Sequence, residues 1–139
     1  MKFNAFDPTT ITSKFPPFEE GIYDGIITKH EWKTNSNGYP MLVVDLELFD
    51  EKKSLSRDWI SFDESHFSKW KQKTFCESIG KPEICKSGNI EDKDLENSKI
   101  RAFFKESEYK DKEGKTKKTI KVEEYLAPLK NDFDDQISF

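Results

Sequence analysis

Histidine and cysteine are scarce in this chain, with two of each among 139 residues. Cys76 and Cys85 are separated by eight residues and have no other cysteines near them. That spacing fits neither a disulfide framework nor a zinc site, so both read as reduced thiols. His30 and His66 are isolated in sequence, and nothing local argues for a metal pair. Only six glycines are present, none of them gathered into a loop that could cradle phosphate. No acidic group has metal-site spacing either; Asp92, Asp94 and Glu96 read as a solvated loop. Without a catalytic constellation the chain is expected not to be an enzyme and to need no cofactor. Long apolar runs are missing too. None approaches the roughly 20 residues needed to span a bilayer, and Met1 to Phe6 lacks the sustained apolar stretch of a signal peptide. No membrane partner is expected, and the expected compartment is the cytoplasm.

Charge and aromatic rings are what the chain has in quantity. Charged residues make up 36% and aromatics 14%, which suits a domain with a wet surface and ring-rich patches rather than a disordered chain. The formal net charge of −4 argues against nucleic acid until it is divided along the sequence. Asp132, Asp134 and Asp135 carry −3 of it, leaving −1 for residues 1–131. Residues 99–121 hold nine Lys or Arg against four Asp or Glu, so the body has a basic stretch and an acidic end.

The hydropathy pattern is mostly that of strands. After the Pro16-Pro17 break, Gly21 to Lys33 reads as a first strand. Asn35-Ser36-Asn37-Gly38 reverses the chain, since Asn and Gly tolerate positive φ. In the second strand, Met41 to Phe49, Leu42, Val44, Leu46 and Leu48 share one face while Asp45 and Glu47 share the other. Ser56 to Phe62 alternates in the same way, with Ile60 and Phe62 inward. Asp63 is the expected cap of a single helix carrying Phe67, Trp70, Thr74, Phe75 and Ile79, which Gly80 and Pro82 stop. Residues 83–98 read as a loop with one short turn. Lys99 to Ser107 forms a fourth strand with Ile100, Ala102 and Phe104 inward, and a charged turn at Lys110 to Lys115 leads to a fifth, Thr116 to Tyr125. Five strands with a helix between the third and fourth match the order of a five-stranded OB-fold-like barrel; three- or four-stranded α+β arrangements give a similar string. The expected organisation is one domain over residues 1–127 and a short linker with a disordered acidic tail over 128–139.

If even positions point inward on strands three to five, the outward set is Arg57, Trp59, Arg101, Phe103, Lys105 and Lys121. Cations there alternate with rings, the combination that single-stranded nucleic acid needs: Lys and Arg neutralise phosphates, and rings stack on bases for about 1–3 kcal/mol each. Either ring alone reads as well as packing; their shared register with cations favours a binding face. Lys110, Lys112, Lys115, Lys117 and Lys118 in the charged hairpin could clamp the strand, or could simply guard an edge. Trp32, Lys33 and Tyr39 flank the first hairpin as a second stacking group, and Asp45 and Glu47 would repel phosphate between the two.

The last eight residues, Asp132-Phe133-Asp134-Asp135-Gln136-Ile137-Ser138-Phe139, combine carboxylates with apolar side chains in a form suited to a partner's hydrophobic pocket beside lysines or arginines. They resemble the tip of bacterial single-stranded DNA-binding proteins, Asp-Phe-Asp-Asp-Asp-Ile-Pro-Phe, at six of eight positions; Gln136 replaces an aspartate and Ser138 the proline. That resemblance implies that Asp132, Phe133, Asp134, Asp135, Ile137 and Phe139 recruit replication, recombination and repair proteins. The body is similar, more loosely, to single-strand-binding proteins of bacteriophages with a compact OB-type domain. The residues carrying that likeness are Glu20-Gly21-Ile22-Tyr23-Asp24-Gly25-Ile26-Ile27, Asn37-Gly38-Tyr39-Pro40-Met41-Leu42, and the Trp70 helix ending at Ile79-Gly80. The expectation is a non-enzymatic single-stranded DNA-binding protein. Its partners would be single-stranded DNA, repair or replication proteins and, with the oligomeric state open, a homo-oligomer. The alternative is an adaptor that mimics the tip to bind or divert a host repair enzyme without holding DNA.

Overall fold

A computed structural model describes residues 1–11 and 18–129. The Pro16-Pro17 break and the tail residues Asp132 to Phe139 lie outside the described residues. Five strands form one antiparallel sheet: β1 (Gly21–Thr34), β2 (Pro40–Leu48), β3 (Leu55–Ser61), β4 (Lys99–Lys110) and β5 (Thr116–Leu126). Their order across the sheet is β3-β2-β1-β4-β5. Between β3 and β4 run α1 (His66–Ser78) and two single-turn helices, α2 (Ile84–Ser87) and α3 (Asp92–Leu95). A 3-10 turn at Pro8–Thr10 precedes the sheet. Among the described residues no helix is long and apolar enough to cross a membrane.

The period-two pattern places the core. Leu42, Val44, Leu46 and Leu48 of β2 are fully buried, together with Ile60, Ile100, Ala102 and Phe104 from neighbouring strands. Phe75 of α1 closes over them and meets Tyr125 edge-on, ring centroids 5.1 Å apart, a geometry that adds about 0.5–1.5 kcal/mol to simple burial. The first reversal follows its residues closely. Gly38 takes φ +85°, and Asn35 Oδ1 accepts from the N–H groups of Asn37 and Tyr39, each at 2.9 Å. Gly25 is required for a different reason: a Cβ there would stand 2.8 Å from the Glu47 carbonyl oxygen, inside the β1–β2 ladder.

Two bulges change which side chains face inward. In β1 the register with β2 slips between Ile27 and Lys29, so odd positions face the core before the slip and even ones after it. Ile27 is buried, and Trp32 lies opposite buried Leu42. In β5, Glu123 is the extra residue between Val122 and Glu124, which pair with Phe104 and Phe103. Val122 therefore points inward and so does Tyr125, which is buried. A bulge of this kind inserts one residue and sharpens local twist.

The sheet is not closed as a barrel, which corrects the sequence expectation of closure. β3 and β5 are its two edges, and side chains bridge them where a ladder would run. Ser56 Oγ donates to the Ile120 carbonyl at 2.6 Å. Asp58, only 7% exposed, accepts from Lys71 Nζ of α1 at 2.8 Å and from the Tyr125 hydroxyl at 2.7 Å. Polar Ser56 and Asp58 occupy core-register positions of β3 because the edge needs partners there. Lys71 Nζ also donates to the Trp59 carbonyl at 2.8 Å and Gln72 Nε2 to the Ser61 carbonyl at 3.0 Å, so α1 satisfies edge groups that would otherwise be open to pairing.

Three local expectations change. Ser65, not Asp63, caps α1, its hydroxyl accepting from Ser68 N–H at 3.2 Å; Asp63 instead accepts from the Ser65 hydroxyl at 2.9 Å. Residues 83–98 hold two short helices. Phe67 and Trp70 are exposed, because the core-facing side of α1 is the one bearing Ser68, Phe75, Cys76 and Ser78.

Candidate nucleic-acid interface

Directly opposed residues in an antiparallel pair share a face of the sheet, so register sorts the candidate side chains. On β3, Arg57 lies opposite Asp45 and Trp59 opposite Val43; Trp59 is 49% exposed. On β4 and β5, Phe103 lies opposite Glu124 and Ile22, Lys105 opposite Lys121, and Tyr109 opposite Lys117. All belong to the outer face. Arg57 and Thr119 line one shallow depression beside Ser56, so the β3 half of this face meets the β5 half where the edges are bridged.

Most of the cations in this set hold carboxylates. Arg57 Nε donates to Asp45 Oδ1 at 2.6 Å, with a second contact from Nη2 to Oδ2 at 3.3 Å. That hydrogen bond holds the Asp45 carboxyl below its ordinary pKa, against partial burial. Arg101 Nη1 reaches both oxygens of Asp24, at 3.1 and 3.2 Å. It lines a cavity of about 480 Å³ with Phe49, Ile79 and Pro128, away from the bridged edges. Lys105 Nζ sits 2.7 Å from Glu123, and that hydrogen bond raises the lysine pKa. In the hairpin Lys115 pairs with Glu113 at 3.7 Å, Lys117 with Asp111 at 3.5 Å and Lys118 with Glu106 at 3.4 Å. Lys118 lies opposite Glu108 on the core side of the ladder, whereas Lys117 and Lys121 are on the outer side. Lys33, Lys110, Lys112 and Lys121 make no ion pair among the described residues.

The second group, around the first hairpin, divides. The β1 bulge turns Trp32 to the core side, where it packs on Phe62 at a centroid distance of 5.5 Å. Lys33, opposite Met41, is on the outer side. Tyr39 sits at the hairpin turn, part-exposed. Trp32 and Lys33 therefore cannot serve one face together. Tyr109, exposed on the same face as Phe103 and Lys105, is a candidate stacking group outside the sequence expectation, because β4 runs to Lys110 and not only to Ser107. Asp58 was also missed. A carboxylate at a core-register position two residues before Ile60 is itself a sign of a buried partner.

Among the described residues no group of three or more His, Cys, Asp or Glu could hold a metal ion. The molecule is a mainly β protein: one curled antiparallel sheet with a helix laid over the gap between its edges. The family model described as Protein of unknown function (DUF669) matches residues 4–121, most of the chain, and the chain belongs to that family. No curated protein matches it.

Proposed function

We propose that the chain is a non-enzymatic single-stranded DNA-binding protein acting in the cytoplasm in replication, recombination or repair, and that its sheet is an OB-type variant in which side-chain bridges replace the β3–β5 ladder. The observation carrying this reading is the outer-face register, with exposed Trp59 beside Arg57 on β3, and Phe103, Tyr109, Lys105, Lys117 and Lys121 across the bridged edges. The strand order and the helix between β3 and β4 support it, as does the likeness to bacteriophage single-strand-binding proteins. Bases stack on the rings while phosphates draw Arg57 and Lys105 away from Asp45 and Glu123. Holding only the unpaired strand, the protein melts secondary structure by mass action. Residues 132–139, through Phe139 and the aspartates, recruit partner enzymes.

A second reading, the adaptor without DNA binding, is favoured by one observation: Arg57, Arg101 and Lys105 already hold carboxylates. Fluorescence anisotropy of a labelled oligo-dT, against a duplex of equal length, separates the two. The DNA-binding reading expects tight binding to oligo-dT that falls steeply between about 50 and 200 mM salt, with far weaker binding to the duplex. Absence of oligo-dT binding at the lowest salt rejects it in favour of the adaptor.

A further inference from the structure

The helices meet at two thiols that the nucleic-acid reading leaves unused. Cys76, on the last turns of α1, is 1% exposed, whereas Cys85 on α2 is exposed, and both are free. The chain returns between them through Gly80 at φ +78° and a hydrogen bond from Lys81 N–H to the Cys76 carbonyl at 2.9 Å. Both cysteines line a cavity of about 290 Å³ with Trp32, Phe62 and Ile90. Burial first, and then the charge of the Cys85 thiolate, push the Cys76 thiol up to about 12.

We propose that Cys76 and Cys85 form a reversible dithiol–disulfide pair, with Cys85 attacking and Cys76 resolving, whose closure ties α2 to α1 and fixes one wall of the Trp32 cavity. The division of labour follows from exposure. An outside disulfide reaches exposed Cys85 and not Cys76, which is buried and shares the cavity wall with Cys85. With oxidised glutathione, the Cys85 thiolate attacks one sulfur, the glutathione S–S bond breaks, and one glutathione thiolate leaves as a mixed disulfide forms. Cys76 then loses its proton and attacks Cys85 Sγ, expelling the second glutathione. The two protein thiols give up two electrons, and the two departing glutathione thiolates take up the two protons. Because Cys76 is buried and held protonated, its step is the slow one, so the adduct on Cys85 builds up before the bridge.

Mass mapping of the full chain after oxidised glutathione and alkylation tests this without DNA. The expected sequence is a transient glutathione adduct on Cys85, then a Cys76–Cys85 linked species about 2 Da lighter than the dithiol, reversed by a reductant. Cys76→Ser should stop at the adduct, and Cys85→Ser should leave Cys76 unmodified. Closure should also change tryptophan fluorescence in the wild type and not in Trp32→Phe. A persistent Cys85 adduct in the wild type, two unreacted thiols, or chains linked only to one another would each overturn the proposal. The wild-type mapping decides it even where a variant fails to fold.

Discussion

Arg57 and Asp58 are neighbours in sequence, each holds an opposite charge, and the two pairs do opposite work. Asp58 faces inward and joins three elements, taking Lys71 from α1 and Tyr125 from β5. Arg57 faces outward and pairs with Asp45 one strand away, its side chain 58% exposed. Burial raises the cost of breaking a pair, because the charge left behind has no water to turn to. An exposed pair exchanges partners almost freely. The inner pair can therefore hold the sheet edges together while the outer one remains available to a phosphate. Alternation along a single strand separates the buried structural carboxylate from the proposed binding face by one residue.

The largest effect should come from the inner pair. Asp58→Ala leaves Lys71 and the Tyr125 hydroxyl without their carboxylate and should cost about 3–5 kcal/mol, read as a fall in the urea midpoint. Asp45→Asn should barely move that midpoint, and equal costs for the two substitutions would break the comparison. Next, Trp59→Ala should weaken oligo-dT binding by about 1–3 kcal/mol while the unfolding curve stays in place; a loss of folding instead would make Trp59 a packing residue.

Tyr125→Phe sharpens the inner side. Burial first, then Asp58, raise the Tyr125 pKa well above its ordinary value. A folded-state pKa above the unfolded one means that this contribution is complete below about pH 10 and is lost as pH rises from there, because only the unfolded chain gives up the proton. Urea midpoints should therefore fall above about pH 10, more steeply in the wild type than in Tyr125→Phe; equal slopes would deny Tyr125 that role. The smallest effect belongs to the outer pair. Asp45→Asn frees Arg57 and removes a carboxylate from the face, so oligo-dT affinity at low salt should rise a few-fold, and an unchanged affinity would place the strand away from Arg57.

Much of this was legible in the sequence, and the exceptions have common causes. Leu42, Val44, Leu46 and Leu48 announced β2 and its buried face, and Asn35 to Gly38 announced the reversal, because both signals are local. The outward positions of Arg57, Trp59, Phe103, Lys105 and Lys121 followed from the same alternation. It fails beyond each bulge: nothing in the sequence marks Thr28 or Glu123 as the extra residue, so alternation alone does not separate Trp32 from Lys33 or turn Tyr125 to the core. The partners of the cations were hidden for another reason. Asp24 meets Arg101 across 77 positions, and such a pairing exists only once strand order is known. Phe67 and Trp70 kept helical spacing but fell on the wrong side of α1, since hydrophobic periodicity records which residues cluster and not what covers them.

The central claim is that the outer face around Trp59 holds an unpaired strand. Titrating intrinsic tryptophan fluorescence with oligo-dT at low salt, in the wild type and in Trp59→Phe, tests it most directly. Saturable quenching in the wild type that salt reverses and that is largely lost in Trp59→Phe is the predicted result. No quenching in the wild type, or quenching undiminished in the variant, would contradict it.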